Sequence, residues 1–150
     1  MNQRISKQIG ALLCSISLAL GTIGGRNALI TRAEGGLSVT DMKVNNLINP
    51  LGIDSNPRFS WVSLASGYGK SISAWQIQVC TQLDGGGSVW DSGHRTGTNT
   101  FDIAYEGAAL TSKTRYYWRA RFWDETGTAS DWSGREWFET GILDASEWQG

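Results

Sequence analysis

Residues Tyr116 to Asp124 read Tyr-Tyr-Trp-Arg-Ala-Arg-Phe-Trp-Asp, and their period is two. Tyr116, Trp118, Ala120 and Phe122 fall on one side; Tyr117, Arg119, Arg121 and Trp123 fall on the other. An apolar face backed by a cationic, aromatic one is what a half-buried antiparallel strand requires. A helix would scatter both sets around its circumference.

Leu110 stands six residues before Tyr116, where the tyrosine corner of an immunoglobulin-like or fibronectin type III sandwich is prepared. The stretch therefore reads as the penultimate strand of such a sandwich. Upstream, Leu37, Val39, Met42, Val44 and Leu47 alternate loosely as a first strand, and Asn49-Pro50-Leu51-Gly52-Ile53-Asp54 is a turn-rich connection. Arg58 to Val62 is a second strand with Phe59 and Trp61 inward. From Ala74 to Val79 the alternation is strict, with Trp75, Ile77 and Val79 inward and Gln76 and Gln78 toward water. Asp84-Gly85-Gly86-Gly87 turns into Val89-Trp90-Asp91, and Phe101, Ile103 and Tyr105 mark a fifth strand. Gly127 turns the long strand back, and Arg135 to Thr140 is the last. The expectation is an all-β, seven-stranded antiparallel immunoglobulin or fibronectin III-like β-sandwich over residues 34–140. Nineteen glycines against two prolines suit short strands with many turns.

A net charge of −1 with scattered lysines and arginines gives no basic stripe for nucleic acid. Eight tryptophans demand a large buried or contacting aromatic surface. Arg4 and Lys7 followed by the apolar run Ile9 to Ile23 read as an export signal over 1–33, cleaved after Ala33. The run is too short and glycine-broken for a stable membrane span. The expected location is the cell envelope or outside the cell. Cys14 leaves with the signal, so Cys80 stands alone, without an intrachain disulfide and as a covered thiol. After Gly141 the character changes, and 141–150 reads as the start of a linker or further domain.

Taken in order, Asn49-Pro50-Leu51-Gly52-Ile53-Asp54, Pro57-Arg58-Phe59-Ser60-Trp61, Trp75-Gln76-Ile77-Gln78-Val79 and Trp90-Asp91-Ser92-Gly93 form a pattern. Tyr105-Glu106-Gly107, Tyr117 to Asp124, Ser130-Asp131-Trp132-Ser133 and Phe138-Glu139-Thr140-Gly141 continue it. This series resembles the amino-terminal region of bacterial α-L-rhamnosidases of glycoside hydrolase family 78. It departs in the looser turn at Gly85 to Gly87 and in Trp75, where a tyrosine is common. The resemblance implies a non-catalytic module of a secreted, inverting enzyme that removes terminal α-L-rhamnose, with its catalytic glutamates on a downstream helical domain. Inversion needs an acid and a base roughly 6.5–9.5 Å apart. No catalytic residue transfers to this chain.

Asp91, Asp124 and Asp131 invite a catalytic reading, but each lies by a turn, Asp91 and Asp131 beside a serine and Asp124 just ahead of Gly127, where aspartate accepts backbone N–H groups. His94 has no companions at metal-ligand spacing, so neither a metal nor any other cofactor is expected. The outward set Arg119, Arg121, Trp123, Arg135 and Trp137 is the candidate site. Interleaved guanidinium and indole groups there form a stabilising ladder or a docking face for downstream domains of the same polypeptide. The rival reading is a platform stacking rhamnose-containing glycans. Ser130 to Ser133 also resembles the Trp-Ser-x-Trp-Ser element of cytokine-receptor modules, with Ala129 for the first tryptophan. Strict parity would turn Glu136 inward with Phe138, a conflict that a bulge near Gly134 or an edge position would remove. An independent carbohydrate-binding or adhesion module and a plain spacer are the alternatives to the enzyme-supporting role.

Overall fold

The computed structural model describes residues 36–147. The expected signal segment lies outside the described residues. Among the described residues eight short strands form: β1 (Ser38–Val44), β2 (Arg58–Leu64), β3 (Ile72–Cys80), β4 (Ser88–Asp91), β5 (Arg95–Thr96), β6 (Ile103–Ala104), β7 (Arg115–Asp124) and β8 (Glu136–Glu139). The first sheet runs β1-β2-β6; the second runs β4-β3-β7-β8, with β5 also on β3. All strand pairings are antiparallel, so the all-β sandwich expectation holds. The two-residue β5 is an addition that alternation could not reveal.

The sheets close over aromatic rings. Phe59 of β2 lies 4.7 Å from Trp118 of β7 and 6.0 Å from both Trp90 and Phe138, centroid to centroid. Tyr116 stacks on Phe138 at 5.4 Å. Val44, Ile77 and Val79 fill the remaining space and are all buried. Burying such side chains contributes roughly 1.5–3 kcal/mol each. The Tyr116 hydroxyl accepts the Thr111 N–H at 2.8 Å, with Leu110 buried beneath. The tyrosine corner is formed as the sequence expects.

Loose alternation in β1 has a definite cause. Pairing with β2 slips between Thr40 and Lys43, and Asp41 takes a φ of 47°. The resulting bulge returns Met42 and Val44 to the core. Two expectations fail. Leu47 lies beyond the strand and is exposed. Phe101 is 61% exposed rather than inward. Asn99 accepts the Phe101 N–H at 3.2 Å, Ser60 Oγ accepts the Asp102 N–H at 3.0 Å and Asp102 has a φ of 57°. These side chain–backbone bonds compete with the ladder, so β6 begins only at Ile103. Trp75 packs on the core as expected while staying half-buried, its ring edge-on to Trp61 at 6.2 Å.

The Asn49 to Ile53 connection lies along β8. Asn49 Oδ1 accepts the Trp137 N–H at 3.0 Å, and the Pro50 carbonyl accepts the Glu139 N–H at 2.9 Å. Ile53 donates to Glu139 O and accepts from the Gly141 N–H, both at 2.9 Å. Gly52 has a φ of 74°, which the tight crossing needs and which other residues adopt reluctantly. Glu136 is the first residue of this outer strand and is half-buried at its end. The edge position therefore resolves its parity conflict.

Candidate functional site: an arginine–tryptophan face

On the outer side of the second sheet, β3 and β7 pair Gln76 with Arg121, Gln78 with Arg119, Ala74 with Trp123 and Cys80 with Tyr117. A bare outer face would leave Ala74, Gln76 and Cys80 wet. Instead all three are buried, at 1%, 8% and 5% exposure. The long side chains of β7 and its following loop roof them over. The expectation that Gln76 and Gln78 face water is thus corrected for Gln76, which is buried, while Gln78 is half-buried. Burial of these amides is tolerable only because each is hydrogen-bonded.

Arg119 directs Nε and Nη2 to Gln78 Oε1 at 2.9 and 2.7 Å. Arg121 does the same to Gln76 Oε1 at 3.0 and 2.8 Å. The glutamine Nε2 groups point the other way, to Asp91 Oδ1 at 2.6 Å and Oδ2 at 2.7 Å. Asp91 also accepts the Gly93 N–H at 2.8 Å. One carboxylate thereby sets the orientation of two amides, and two amide oxygens set two guanidiniums. Burial disfavours the Asp91 carboxylate, but the bonds from Gln76, Gln78 and Gly93, with the charge of Arg121, outweigh it and hold the pKa below the usual value.

Trp132 is the residue that the candidate set lacks. Its ring lies between Arg119, 4.3 Å from the guanidinium carbon, and Arg121, 4.4 Å away. Arg121 also sits 4.7 Å from Trp123, whose ring His94 meets edge-on at 4.5 Å. Each such contact contributes about 0.5–1 kcal/mol at an exposed site. Two serines hold Trp132 in place. Ser130 donates its N–H to Phe122 O at 2.8 Å and accepts the Phe122 N–H on Oγ at 3.1 Å. Ser133 repeats this with Ala120, at 2.9 and 3.0 Å. The resemblance of this segment to the Trp-Ser-x-Trp-Ser element could have placed Trp132 in the stack.

Trp137 stacks instead with Arg115, 4.0 Å away, and Arg115 pairs with Glu139 at 3.0 Å. Arg135 joins no ring. Its guanidinium lies against Gly85 in the β3–β4 turn, and its Nε is buried with no hydrogen-bond partner. Burial and the positive charge of Arg135 lower the pKa of Arg119.

Two of the tempting carboxylates serve in turns. Asp91 accepts from Gly93, as above. Asp124 Oδ1 accepts the N–H groups of Thr126 and Thr128 at 2.9 and 3.0 Å and the Thr126 hydroxyl at 2.6 Å; Lys70 lies 3.2 Å from Oδ2. The Thr126 hydroxyl leads these influences in holding the Asp124 pKa at about 2. Cys80 is a free, buried thiol, donating toward Gln82 O at 3.1 Å.

Two sheets, a tyrosine corner and a stacked arginine–indole face define an immunoglobulin-like β-sandwich module. The chain belongs to the family described as the Rha78A-like, N-terminal immunoglobulin domain, whose model matches residues 39–144. It is 39% identical over 115 residues to an α-L-rhamnosidase of Streptomyces avermitilis, covering 75% of this chain and 11% of that protein. An α-L-rhamnosidase of Formosa agariphila is 39% identical over 110 residues, covering 70% of this chain and 12% of that protein. The crystal structure of Streptomyces avermitilis α-L-rhamnosidase complexed with L-rhamnose superposes with a TM-score of 0.72 at 38% identity. That match covers 76% of this chain and 11% of the other. The chain thus spans about a ninth of the relatives' length.

Proposed function

We propose that this chain is the non-catalytic, amino-terminal β-sandwich of an exported α-L-rhamnosidase-like glycoside hydrolase, and that its arginine–tryptophan face packs on later domains to hold the catalytic unit in shape. The observation that carries the reading is the confinement of the match to an N-terminal immunoglobulin domain within much longer rhamnosidases. The stacked face favours packing over sugar binding. A pyranose needs a bare aromatic face, and Trp132 has a guanidinium on each side. Terminal α-L-rhamnosides are the substrate class of the parent enzyme in this reading.

The test is a longer enzyme bearing this domain, compared with the same enzyme lacking residues 36–147. The deletion is expected to shorten the half-life of aryl α-L-rhamnoside hydrolysis on heating by tenfold or more. Unchanged activity and half-life would overturn the supporting role. The chain by itself is expected not to hydrolyse an aryl α-L-rhamnoside, and turnover by the purified chain would overturn the non-catalytic reading.

A further inference from the structure

The described residues contain nine lysines and arginines, and six of them have a carboxylate within 4 Å: Lys43, Arg58, Lys70, Arg95, Lys113 and Arg115. The three without one are Arg119, Arg121 and Arg135. They are neighbours. Arg119 and Arg121 project from the same side of β7, and Arg135 immediately precedes Glu136, which faces Trp118 across the β7–β8 pair. The positive charge of the described residues that lacks a carboxylate partner is gathered on one face.

The way these groups are held keeps that charge available. Arg119 and Arg121 are oriented by neutral amide oxygens, so their forks are fixed without being neutralised. Asp91 stands behind the glutamines, its oxygens already taken by two amides and the Gly93 N–H. The Nη1 groups of Arg119 and Arg121 make no hydrogen bond among the described residues. Arg135 Nε is sealed from water and has no acceptor at all. An incoming carboxylate would form charge-assisted bonds with the guanidinium N–H groups of this row that have no partner.

We propose that the row Arg121–Arg119–Arg135 is the docking site for an extended acidic polypeptide segment with carboxylates at alternating positions. The inference rests on the packing role proposed above and specifies its chemistry. Guanidiniums two residues apart on one strand stand ~7 Å apart, the repeat of same-side residues in an extended partner. An acidic glycan fits less well. The guanidiniums of Arg119 and Arg121 lie over the Trp132 ring and occupy the aromatic surface a sugar ring would need there.

The full chain, labelled with nitrogen-15, is titrated with the blocked peptide Glu-Thr-Glu-Thr-Glu at low salt while the arginine Nε–H resonances are followed. Saturable shifts are expected at Arg119, Arg121 and Arg135, with none at Arg58, and 0.5 M sodium chloride should abolish them. Arg135→Gln should weaken binding at least fivefold, and Arg135→Lys should fall between the two. The absence of saturable shifts would overturn the proposal. So would equal affinity in both variants, or binding of tri-galacturonate in place of the peptide. Failure here leaves the packing role to the domain-deletion experiment, which does not depend on carboxylates.

Discussion

Gln76 and Arg121 face each other across β3 and β7, joined by two hydrogen bonds from one guanidinium to one amide oxygen. Because the acceptor is an amide and not a carboxylate, Arg121 is positioned while its charge stays uncancelled. Gln78 and Arg119 repeat the arrangement one pleat away. The outer face of this sheet is therefore built as carefully as the core, and substitutions separate the two.

Trp118→Ala is expected to cost about 3–5 kcal/mol, because the ring is fully buried against Phe59 and no neighbour can refill the space. Trp123→Ala removes a half-buried ring at the end of the stack and should cost much less. Urea unfolding of both variants checks the assignment of faces; equal losses would contradict it.

Trp132→Ala removes the ring shared by Arg119 and Arg121. The loss of two stacked contacts is expected to cost about 1–2 kcal/mol. Trp132→Phe should recover part of it. Chemical denaturation at two salt concentrations is the measurement.

Asp91→Leu leaves the Gln76 and Gln78 amides without the acceptor that orients them, and either can flip. Arg119 and Arg121 would then meet an amide NH2 in place of an oxygen. We expect the sharp Nε–H resonances of both arginines to broaden or disappear, while that of Arg95, tied to Glu106 at 2.9 Å, persists.

Tyr116→Phe deletes the acceptor of the Thr111 N–H. Thr111 is itself exposed, so water can take over part of the bond. A loss of about 1 kcal/mol in urea unfolding is expected.

Acid should weaken the domain in a defined window. Asp124, at about 2, and Asp91, also lowered, both have folded-state pKa values below that of an unfolded aspartate, near 3.9. Their contribution is fully present above about pH 4 and is lost as pH falls through the folded values. Denaturant midpoints measured from pH 5 to pH 2 should decline over that range, and Asp124→Asn should make the decline shallower.

Period-two alternation was enough to assign the faces of β7 completely, and the position of Leu110 relative to Tyr116 was enough to place the corner. Both are local signals. Phe101 misled because side chain–backbone bonds from Asn99 and Ser60 end the strand early, a choice that hydrophobicity does not record. The glutamines misled for a different reason. Polarity alone assigns Gln76 and Gln78 to water, whereas the burial of Gln76 and the half-burial of Gln78 depend on Arg121 and Arg119 lying opposite them, more than forty residues away in the chain. The signal was present as Gln-x-Gln facing Arg-x-Arg at equal spacing, but only the register between strands turns it into a contact. The outward pattern groups Arg135 and Trp137 with Arg119, yet Trp137 stacks with Arg115, and Arg135 stacks with no ring among the described residues.

The Asn49 to Ile53 crossing occupies backbone groups on the outer side of β8. Donors and acceptors already taken there cannot template a foreign β-segment. Along that border, crowded copies of the domain are shielded from zipping together into fibrils, and any neighbour must be recognised through side chains alone.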